Sequence, residues 1–382
     1  MRGCITKKGS NYSIVVDIGR VDGKRKQKWF NGYRTKREAQ NALTKILSQL
    51  QDNTFVDTDK ITVKEYLLQW LENYVDTNLS PTTAYGYRVN VEKHIIPNLG
   101  NIQLQKLQPL HIQQLYNEKL KNGRVDGKGG LSAKSVIYIH RVFRKALAQA
   151  VKLQIISRNV ADLVEVPKKK PFNAKILDSD EVPSLLEAFK NTNLYIPVLL
   201  GVAVGLRRGE ALGLRWQDID YKNKTITISQ TILHSKAGII INTPKTIKSH
   251  RTIVISDTII AALKYQQERQ QENKDLLGEA YQDNDLVTCG ADGSPINPST
   301  FSRNFSDTLE RNDLTHIRFH DLRHTNATLM LKSDIPAKIA SERLGHSTIG
   351  ITLDLYSHVL KEMQQDAASR LESLLFVNKS EI

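Results

Sequence analysis

The chain has 382 residues, enough for two or three domains, and its composition is that of a globular protein. Its two cysteines, Cys4 and Cys289, are far apart in the sequence, which excludes a disulfide framework and the ligand spacing of a zinc site. No apolar run reaches the length of a membrane span and no N-terminal h-region is visible, so we expect a cytoplasmic protein.

The positive charge is unevenly distributed along the chain. The net charge is +14, yet residues 172–382 hold 24 Lys and Arg against 26 Asp and Glu. Residues 1–60 hold 13 basic against 6 acidic residues, and residues 61–171 hold 17 against 8. This asymmetry predicts that the first part of the chain grips a polyanion while the second performs local chemistry. The plainer alternative is a set of solvated lysines that keeps the protein soluble.

Residues 1–55 have the pattern of a small sheet packed on one helix. Residues 12–18 and 24–30 are strand-like, residues 19–23 and 31–32 are turn-like, and residues 35–38 form a capping-box pattern before an apolar helical stripe. Such a sheet can enter a DNA major groove, although a basic protein-binding module fits the pattern equally. The candidate DNA contacts on the strands are Arg20, Lys24, Arg25, Lys26 and Lys28.

Residues 61–166 are predicted to form a helical bundle with a basic face. Helix starts are expected near Thr62, Ser80, Leu107 and Ser132, each followed by apolar residues at helical spacing. A linker follows at residues 167–171, and its lysines can lie along a phosphate backbone. The candidate DNA contacts of the bundle and linker are Arg141, Arg144, Lys145, Lys168, Lys169 and Lys170.

A further domain is expected from residue 175. The apolar run 198–204 ends at a turn that carries Arg207, and Glu210 can orient its guanidinium by a charge-assisted hydrogen bond. Residues 225–232, 239–246 and 251–255 are strand-like. Lys245 then lies at a β turn or strand edge, from which its ammonium can reach a substrate, although a solvated edge lysine is the plainer interpretation.

The last third of the chain concentrates polar groups that can hold and attack a phosphate. His320, Arg323 and His324 fall at i, i+3 and i+4, so a helix places them on one face. Gly345 is typical of the residue just past a helix end, and His346 follows it. Ser347 then fits an N-cap, and the helical spacing of residues 349, 352, 353 and 356 puts Tyr356 at the edge of a buried stripe. Single tyrosines and histidines of this kind more often have structural roles.

The ordered set resembles the tyrosine recombinase family, in particular the phage-type integrases. The resemblance is carried by Gly-Leu-Arg207-Arg-Gly-Glu, Pro-Lys245-Thr, His320-x-x-Arg323-His, Leu-Gly-His346 and Tyr356-Ser-His. It implies an α+β multidomain fold: a three-stranded sheet with a helix, a helical bundle, and a mainly α catalytic domain with a small antiparallel sheet. The implied domains are an arm-site-binding domain at 1–55, a core-site-binding domain at 61–166 and a catalytic domain at 175–382.

The chemistry of these residues agrees with the resemblance. Attack on a phosphodiester builds charge on two non-bridging oxygens, which arginines and imidazoles can neutralise without a metal, a cofactor or ATP. Tyr356 is the expected nucleophile, and the resemblance implies a 3′-phosphotyrosyl bond and a Holliday junction. Glu210 and His324 are candidate supporting residues. For His324 and His358, a purely structural role is the alternative. The implied catalytic residues are Arg207, Lys245, His320, Arg323, His346 and Tyr356.

The resemblance also implies partners. They are double-stranded DNA with core and arm attachment sites, and a homotetramer that exchanges C-terminal tails, with tail docking in cis as the alternative. An excisionase and DNA-bending proteins are further expected partners, in a nucleoid-associated recombinase of a bacterial mobile element. No membrane partner is expected.

Three other functions fit parts of the sequence. A non-catalytic DNA-binding regulator would explain the basic half of the chain and predicts no covalent DNA adduct. A metal-dependent phosphohydrolase would use His320-Asp321 and predicts inhibition by EDTA. A type IB topoisomerase would share the chemistry but is not expected to carry an arm-binding domain.

Overall fold

The computed structural model describes residues 3–21, 24–51, 61–169, 175–235, 238–242, 250–346, 348–356, 368–369, 371–373 and 375. The chain divides into two compact units, Met1–Lys170 and Pro171–Ile382. Among the described residues, no helix combines the length and the apolar character that a membrane crossing requires.

The N-terminal part is a three-stranded antiparallel sheet with one helix. Strands β1 (Gly3–Lys8), β2 (Asn11–Val21) and β3 (Lys24–Tyr33) pair in the order β1-β2-β3, and helix α1 (Lys36–Gln51) follows. Apolar residues of β2 and α1 form the core of this sheet and helix. Two turn predictions were wrong in extent: β2 pairs with β3 up to Val21 and Lys24, and β3 continues through residues 31–32. At both places the turn-like residues shift the register of the ladder instead of ending the strand.

The Thr35 capping box is confirmed. The Glu38 N–H donates to the Thr35 hydroxyl at 3.2 Å, and the Thr35 N–H donates to the Glu38 carboxylate at 3.3 Å. These bonds satisfy backbone donors that the first turn of α1 cannot pair internally.

Residues 61–166 are helical around a core of their own. Thr62 and Ser132 cap helices as predicted, each accepting a hydrogen bond from the backbone three residues later. The helices are α2 (Val63–Trp70), α3 (Asp76–Asn78), α4 (Pro81–Asn90), α5 (Ile96–Leu99), α6 (Pro109–Asn122) and α7 (Ala133–Lys152), with π-helical turns at Leu71–Val75 and Val91–Ile95 and 3-10 turns at Leu104–Lys106 and Val160–Leu163.

Across its described residues, the second unit is mainly helical with two small antiparallel sheets, in the orders β4-β5-β8 and β6-β7. The predicted strand at 225–232 is two strands, because residues 225–228 pair with β8 whereas residues 231–235 pair with β7. The strands are β4 (Ile219–Asp220), β5 (Thr225–Ile228), β6 (Thr231–Ser235), β7 (Gly238–Asn242) and β8 (Arg251–Val254), and a 3-10 turn, Trp216–Asp218, precedes β4.

Eight helices of this unit are described. The helices at Glu181–Phe189 and Pro298–Arg311 pack together through the stacked rings of Phe189 and Phe305. Phe319 lies edge-on to Phe305. Two of the eight helices, Asp257–Leu277 and Pro298–Arg311, were not predicted from the sequence. In chain order they are α8 (Glu181–Phe189), α9 (Tyr195–Ala203), α10 (Arg208–Gly213), α11 (Asp257–Leu277), α12 (Pro298–Arg311), α13 (Phe319–Lys332), α14 (Ala337–Leu344) and α15 (Ile349–Tyr356), with a 3-10 turn at Gly278–Ala280.

Helix α15 corrects one prediction about burial. Ile349 and Leu353 are 44% and 43% exposed, whereas Thr352 is 0% exposed. Thr352 is therefore buried as a member of the predicted stripe, whereas the two apolar residues of that stripe are turned outward. Ser347 and most of the predicted tail helix, including residues 357–367, lie outside the described residues.

Candidate active site

Helix α13 carries the most deeply buried cation of the site. Arg323 is 2% exposed, and its guanidinium donates to the Gly205 carbonyl at 2.7 Å and to the Leu344 carbonyl at 2.6 Å. Burial, followed by the positive charge of Arg207, lowers the pKa of Arg323 to about 9. The group still carries its charge at neutral pH, in a place where water cannot screen it.

Arg207 occupies the N-cap position of α10, as the turn after the apolar run predicts. Its Nη1 donates to the Glu210 carboxylate at 2.6 Å and its Nη2 to the Gly345 carbonyl at 2.9 Å. The turn requires Gly205, whose φ is +76° and whose absent side chain leaves space for Leu344 and Asn326. The Arg207 side chain is 36% exposed, so part of it remains accessible to a ligand.

Glu210 connects Arg207 to a third arginine. Its carboxylate, 5% exposed, also accepts from Arg251 at 2.9 Å, and the Arg251 Nε donates to the Arg343 carbonyl at 2.9 Å. Burial raises the pKa of Glu210, but the hydrogen bonds and charge of Arg251 and the charge of Arg207 outweigh this, so the pKa is lowered. Glu210 is thus a charged bridge between the two guanidinium groups.

The three arginines share one anchor, the C-terminal end of α14. Arg251, Arg323 and Arg207 donate to three successive carbonyls, those of residues 343, 344 and 345. Carbonyls at a helix end have no partner within the helix and carry the negative end of its dipole. Gly345 follows the end of α14, as predicted, and adopts the left-handed conformation; the chain then presents His346 beside the cations.

Two further histidines lie next to each other on α13. The rings of His320 and His324 are 4.8 Å apart and nearly perpendicular. Desolvation, then the charges of His324, Arg323 and Arg207, lowers the pKa of His320 to about 4. Burial likewise lowers the pKa of His324, whose Nδ1 is buried and has no hydrogen-bond partner in the described part of the chain. Both rings are therefore neutral near pH 7.

The Asp321 carboxylate is hydrogen-bonded to Arg318 and not to one of the neighbouring histidines. It accepts from the Arg318 backbone at 2.8 Å and from the Arg318 guanidinium at 2.7 and 3.0 Å, at the start of α13. This geometry is a helix N-terminal cap. The His320-Asp321 pair that suggested a metal-dependent hydrolase therefore has its carboxylate engaged elsewhere.

His346 contacts the helix that carries Tyr356. Its Nδ1 lies 2.8 Å from the Thr352 hydroxyl, one helical turn before Tyr356. Burial, then the charges of Arg323 and Arg207, lowers the pKa of His346 to about 3. Tyr356 is the last residue of α15, and its side chain lies outside the described part of the structure, as does Lys245 altogether.

The predicted DNA contacts of the first unit have varied surroundings. Arg141, Lys168 and Lys169 are exposed, and Arg144 pairs with Asp162 at 2.5 Å. Lys145 lies over the rings of two tyrosines, and Lys28 lies 5.0 Å from the Phe30 ring centre. The remaining predictions fall on side chains outside the described part: Arg20, Lys24, Arg25, Lys26 and Lys170.

The site includes Arg251 and Thr352, which were not identified from the sequence. A signal for Arg251 exists in strand β8, because the period of two puts it on the same face as buried Ile253. A cation on an inward face needs a buried acceptor, and Glu210 was already a candidate. Thr352 has no comparable signal, since its spacing fits an apolar stripe.

Three family models match consecutive parts of the chain. Residues 175–363 match the phage integrase family, residues 62–120 match the N-terminal SAM-like domain of phage integrases, and residues 4–50 match an arm DNA-binding domain. The chain belongs to the phage integrase family of tyrosine recombinases. It is therefore an enzyme of site-specific recombination.

Relatives match along most of the chain. A tyrosine recombinase XerC-like protein of Caldanaerobacter subterraneus is 29% identical and covers 95% of this chain and 96% of its own length. The ICEBs1 integrase of Bacillus subtilis is 26% identical over 89% of this chain and 91% of its own.

Solved structures agree in fold. The Tn1549 transposon integrase in complex with transposon right end DNA has a TM-score of 0.68 at 19% identity and covers 81% of this chain and 99% of its own. A lambda integrase dimer bound to a core site has a TM-score of 0.57 at 19% identity, with 92% and 93% coverage. The predicted α+β multidomain fold of the recombinase is confirmed.

Proposed function

We propose that the recombinase integrates and excises a bacterial mobile element by cutting and rejoining DNA through Tyr356. The tyrosine oxygen attacks the scissile phosphorus, the bond to the 5′ oxygen breaks, and a 3′-phosphotyrosyl linkage forms. The 5′-hydroxyl of a partner strand later reverses the step, which passes through a Holliday junction. Because the phosphotyrosyl bond conserves the energy of the broken linkage, the cycle needs neither ATP nor a resident cofactor.

The observation that carries this proposal is the cation array at the end of α14. Arg207 and Arg323 are aligned by adjacent carbonyls, and His346 follows directly, so three donors face one region before any substrate arrives. Donors fixed in advance stabilise the two non-bridging oxygens of a pentacoordinate phosphorane without reorganisation. We assign Arg207, Arg323 and His346 to this role.

The proton transfers fall to the remaining residues of the set. His320 is neutral near pH 7 because of its lowered pKa, so it can accept the tyrosine proton or donate a hydrogen bond. Lys245 would protonate the leaving 5′ oxygen. Glu210 holds Arg207 in place, and His324 supports the ring of His320.

We further propose three domains with separate DNA contacts: an arm-site domain at 1–55, a core-site domain at 61–166 and the catalytic domain at 175–382. The match of three successive family models supports these bounds. The excess basic charge of residues 1–171 supports double-stranded DNA as the partner. A cytoplasmic tetramer that exchanges C-terminal tails, assisted by an excisionase and DNA-bending proteins, completes the proposal.

A covalent adduct tests the chemistry directly. The full-length protein is incubated in EDTA with labelled DNA spanning an element junction, nicked next to the cleavage position so that the short 5′-hydroxyl strand diffuses away. We expect a protease-sensitive adduct on a denaturing gel that Tyr356→Phe abolishes. Tyr265→Phe, at an exposed tyrosine of α11, is the matched control and should keep the adduct. No adduct on bound DNA would favour the non-catalytic regulator, and inhibition by EDTA would favour the hydrolase.

A further inference from the structure

Helix α15 buries a threonine at a position where burying an apolar side chain would cost less desolvation free energy. Thr352 is 0% exposed, whereas Ile349 and Leu353 on the same helix are more than 40% exposed. A buried hydroxyl is unfavourable unless it is hydrogen-bonded. Its partner is Nδ1 of His346 at 2.8 Å, and among the described residues the hydroxyl makes no other hydrogen bond. The burial of Thr352 is therefore explained by its contact with His346.

The direction of this hydrogen bond depends on the tautomer of the His346 ring. A neutral imidazole has one N–H donor and one lone-pair acceptor, and its environment decides which nitrogen carries the proton. A threonine hydroxyl has a single proton to donate, and among the described residues its one hydrogen-bond partner is His346 Nδ1, which is a donor in one tautomer of the ring and an acceptor in the other. The lowered pKa of His346 keeps the ring neutral near pH 7. With Nδ1 as acceptor, the proton is on Nε2.

We propose that the Thr352 hydroxyl donates to Nδ1 of His346 and thereby fixes the tautomer whose Nε2–H can donate to the scissile phosphate. Thr352 is then a positioning residue for the cleavage step, acting through His346. This inference rests on the proposed function, in which His346 donates to the scissile phosphate. The opposite tautomer would place a lone pair of Nε2 against an anionic phosphate oxygen.

The same contact links His346 to the nucleophile. Thr352 and Tyr356 are four residues apart, so they lie on one face of α15. The hydroxyl can reach Nδ1 only when this turn of α15 is seated against the end of α14. His346 is thus held in its donor tautomer when the tyrosine helix is in place.

Cleavage kinetics provide the first test. Thr352→Val keeps the shape of the side chain but removes the donor, and we expect single-turnover cleavage of the nicked substrate to be about tenfold slower. Thr352→Ser keeps the hydroxyl and should stay within about threefold of the wild type. Thr308→Val is the matched control, because in the described part of the chain this buried hydroxyl bonds only the Asn304 carbonyl of its own helix. An equal loss in Thr352→Val and Thr352→Ser, or no loss in Thr352→Val, would overturn the inference.

A double-mutant cycle separates positioning from helix packing. In a His346→Ala background, Thr352→Val should slow cleavage by less than about twofold, because the residue through which it acts is gone. A further loss of about tenfold in that background would show that Thr352 acts on the helix independently, and the inference would fail.

Nitrogen NMR tests the tautomer without any catalysis. In full-length protein labelled with 15N-histidine, the His346 ring signals are assigned by their loss in His346→Ala. We expect Nε2 protonated and Nδ1 unprotonated in the wild type, with a mixture of tautomers in Thr352→Val. Protonated Nδ1 in the wild type would refute the inference even if adducts form. Failure of the proposed function would instead appear as a missing adduct with the wild type.

Discussion

The cations of the catalytic unit and those of the helical bundle at 61–166 differ in how they are held. Arg323 and Arg251 are buried, and each donates to a backbone carbonyl at the end of α14. On the bundle, Arg141 is exposed, and the Arg144 side chain is 57% exposed and pairs with a single carboxylate. The first set is fixed before a substrate arrives, whereas the second must be ordered on binding.

This difference explains why net charge is a poor guide to a site. Residues 172–382 have a small negative balance, yet they contain three clustered guanidinium groups. Their charge is offset locally by one buried carboxylate and by carbonyl dipoles, so it contributes little to long-range attraction. The exposed cations of the first 171 residues dominate that attraction. On the proposed function, electrostatic steering and transition-state stabilisation therefore belong to different residues.

The largest expected effect comes from loosening one fixed cation. A lysine at position 207 cannot span Glu210 and the Gly345 carbonyl as a guanidinium does. We expect Arg207→Lys to slow single-turnover cleavage by about 10²–10³-fold, the usual cost of losing one transition-state donor. DNA affinity, measured by gel shift, should change little.

The neighbouring arginine is the control. Arg208 donates to the Ser302 hydroxyl at 2.5 Å and takes no part in the carbonyl array. Arg208→Lys should reduce cleavage less than about threefold. Equal losses at the two positions would remove the basis for assigning the catalytic role to Arg207.

The second prediction concerns the buried bridge. Arg251→Gln leaves the Glu210 carboxylate buried with one cation fewer, which should cost about 3 kcal/mol of unfolding free energy in urea titrations. Cleavage should slow by about tenfold, because Glu210 loses one of the two arginines that hold it and therefore fixes Arg207 less firmly.

Removing the buried charge as well should restore stability. In Glu210→Gln/Arg251→Gln no unpaired carboxylate remains, so part of the lost unfolding free energy should return while cleavage stays slow. A double variant that is less stable than either single variant would show that the pair stabilises by packing and not by charge compensation.

Local spacing predicted the part of this site that lies within single elements. The i, i+3, i+4 pattern on α13, the position of Gly345 just after α14 and the position of Arg207 after an apolar helix are all confirmed. Each depends on residues a few positions apart, where helix geometry and capping are decisive.

The missed features depend on contacts across the fold. Arg251 is 41 residues from Glu210 and 92 from Arg343 in sequence, so no local pattern contains the bridge. Thr352 fitted an apolar stripe, and only the contact with His346 explains why Ile349 and Leu353 face outward instead. Helix α11 was missed because its buried apolar residues are confined to its first two turns. Helix α12 carried a usable signal that was overlooked, since Phe301, Phe305 and Leu309 recur at helical spacing.

The third prediction uses the histidines of the catalytic unit. The pKa of His346 is about 3 in the folded protein against 6.5 for an ordinary histidine, so the unfolded chain binds more protons between these values. The contribution of His346 to the free energy of unfolding is therefore fully present above about pH 6.5 and is lost as the pH falls below that value. Between about pH 7 and pH 5, the wild type should lose about 2 kcal/mol more unfolding free energy than His346→Gln.

An exposed histidine provides the comparison. His234→Gln, on β6, should keep the pH dependence of the wild type. Parallel curves for wild type and His346→Gln would mean that the folded protein accepts a proton on His346 without penalty, contrary to its half-buried position beside Arg323 and Arg207.

The smallest effect is expected within the bundle, where two cations on one helix should separate. Arg141 and Lys145 are both on α7, but the Lys145 ammonium lies 5.3 Å from the ring centre of Tyr74 and 5.5 Å from that of Tyr87. Lys145→Ala should therefore lower unfolding free energy by about 0.5–1 kcal/mol through lost cation–π contacts. Arg141→Ala should leave stability unchanged.

Salt titrations of DNA binding then assign each cation. If Arg141 contacts a phosphate, Arg141→Ala reduces the slope of log K against log salt by about 1, whereas Lys145→Ala leaves the slope unchanged. A reduced slope for Lys145→Ala would show that DNA draws the ammonium away from the tyrosine rings, so that the same charge stabilises the free bundle and binds the phosphate in turn. Lys145 would then behave as a cation held in advance, and the contrast between the bundle and the catalytic unit would be one of degree.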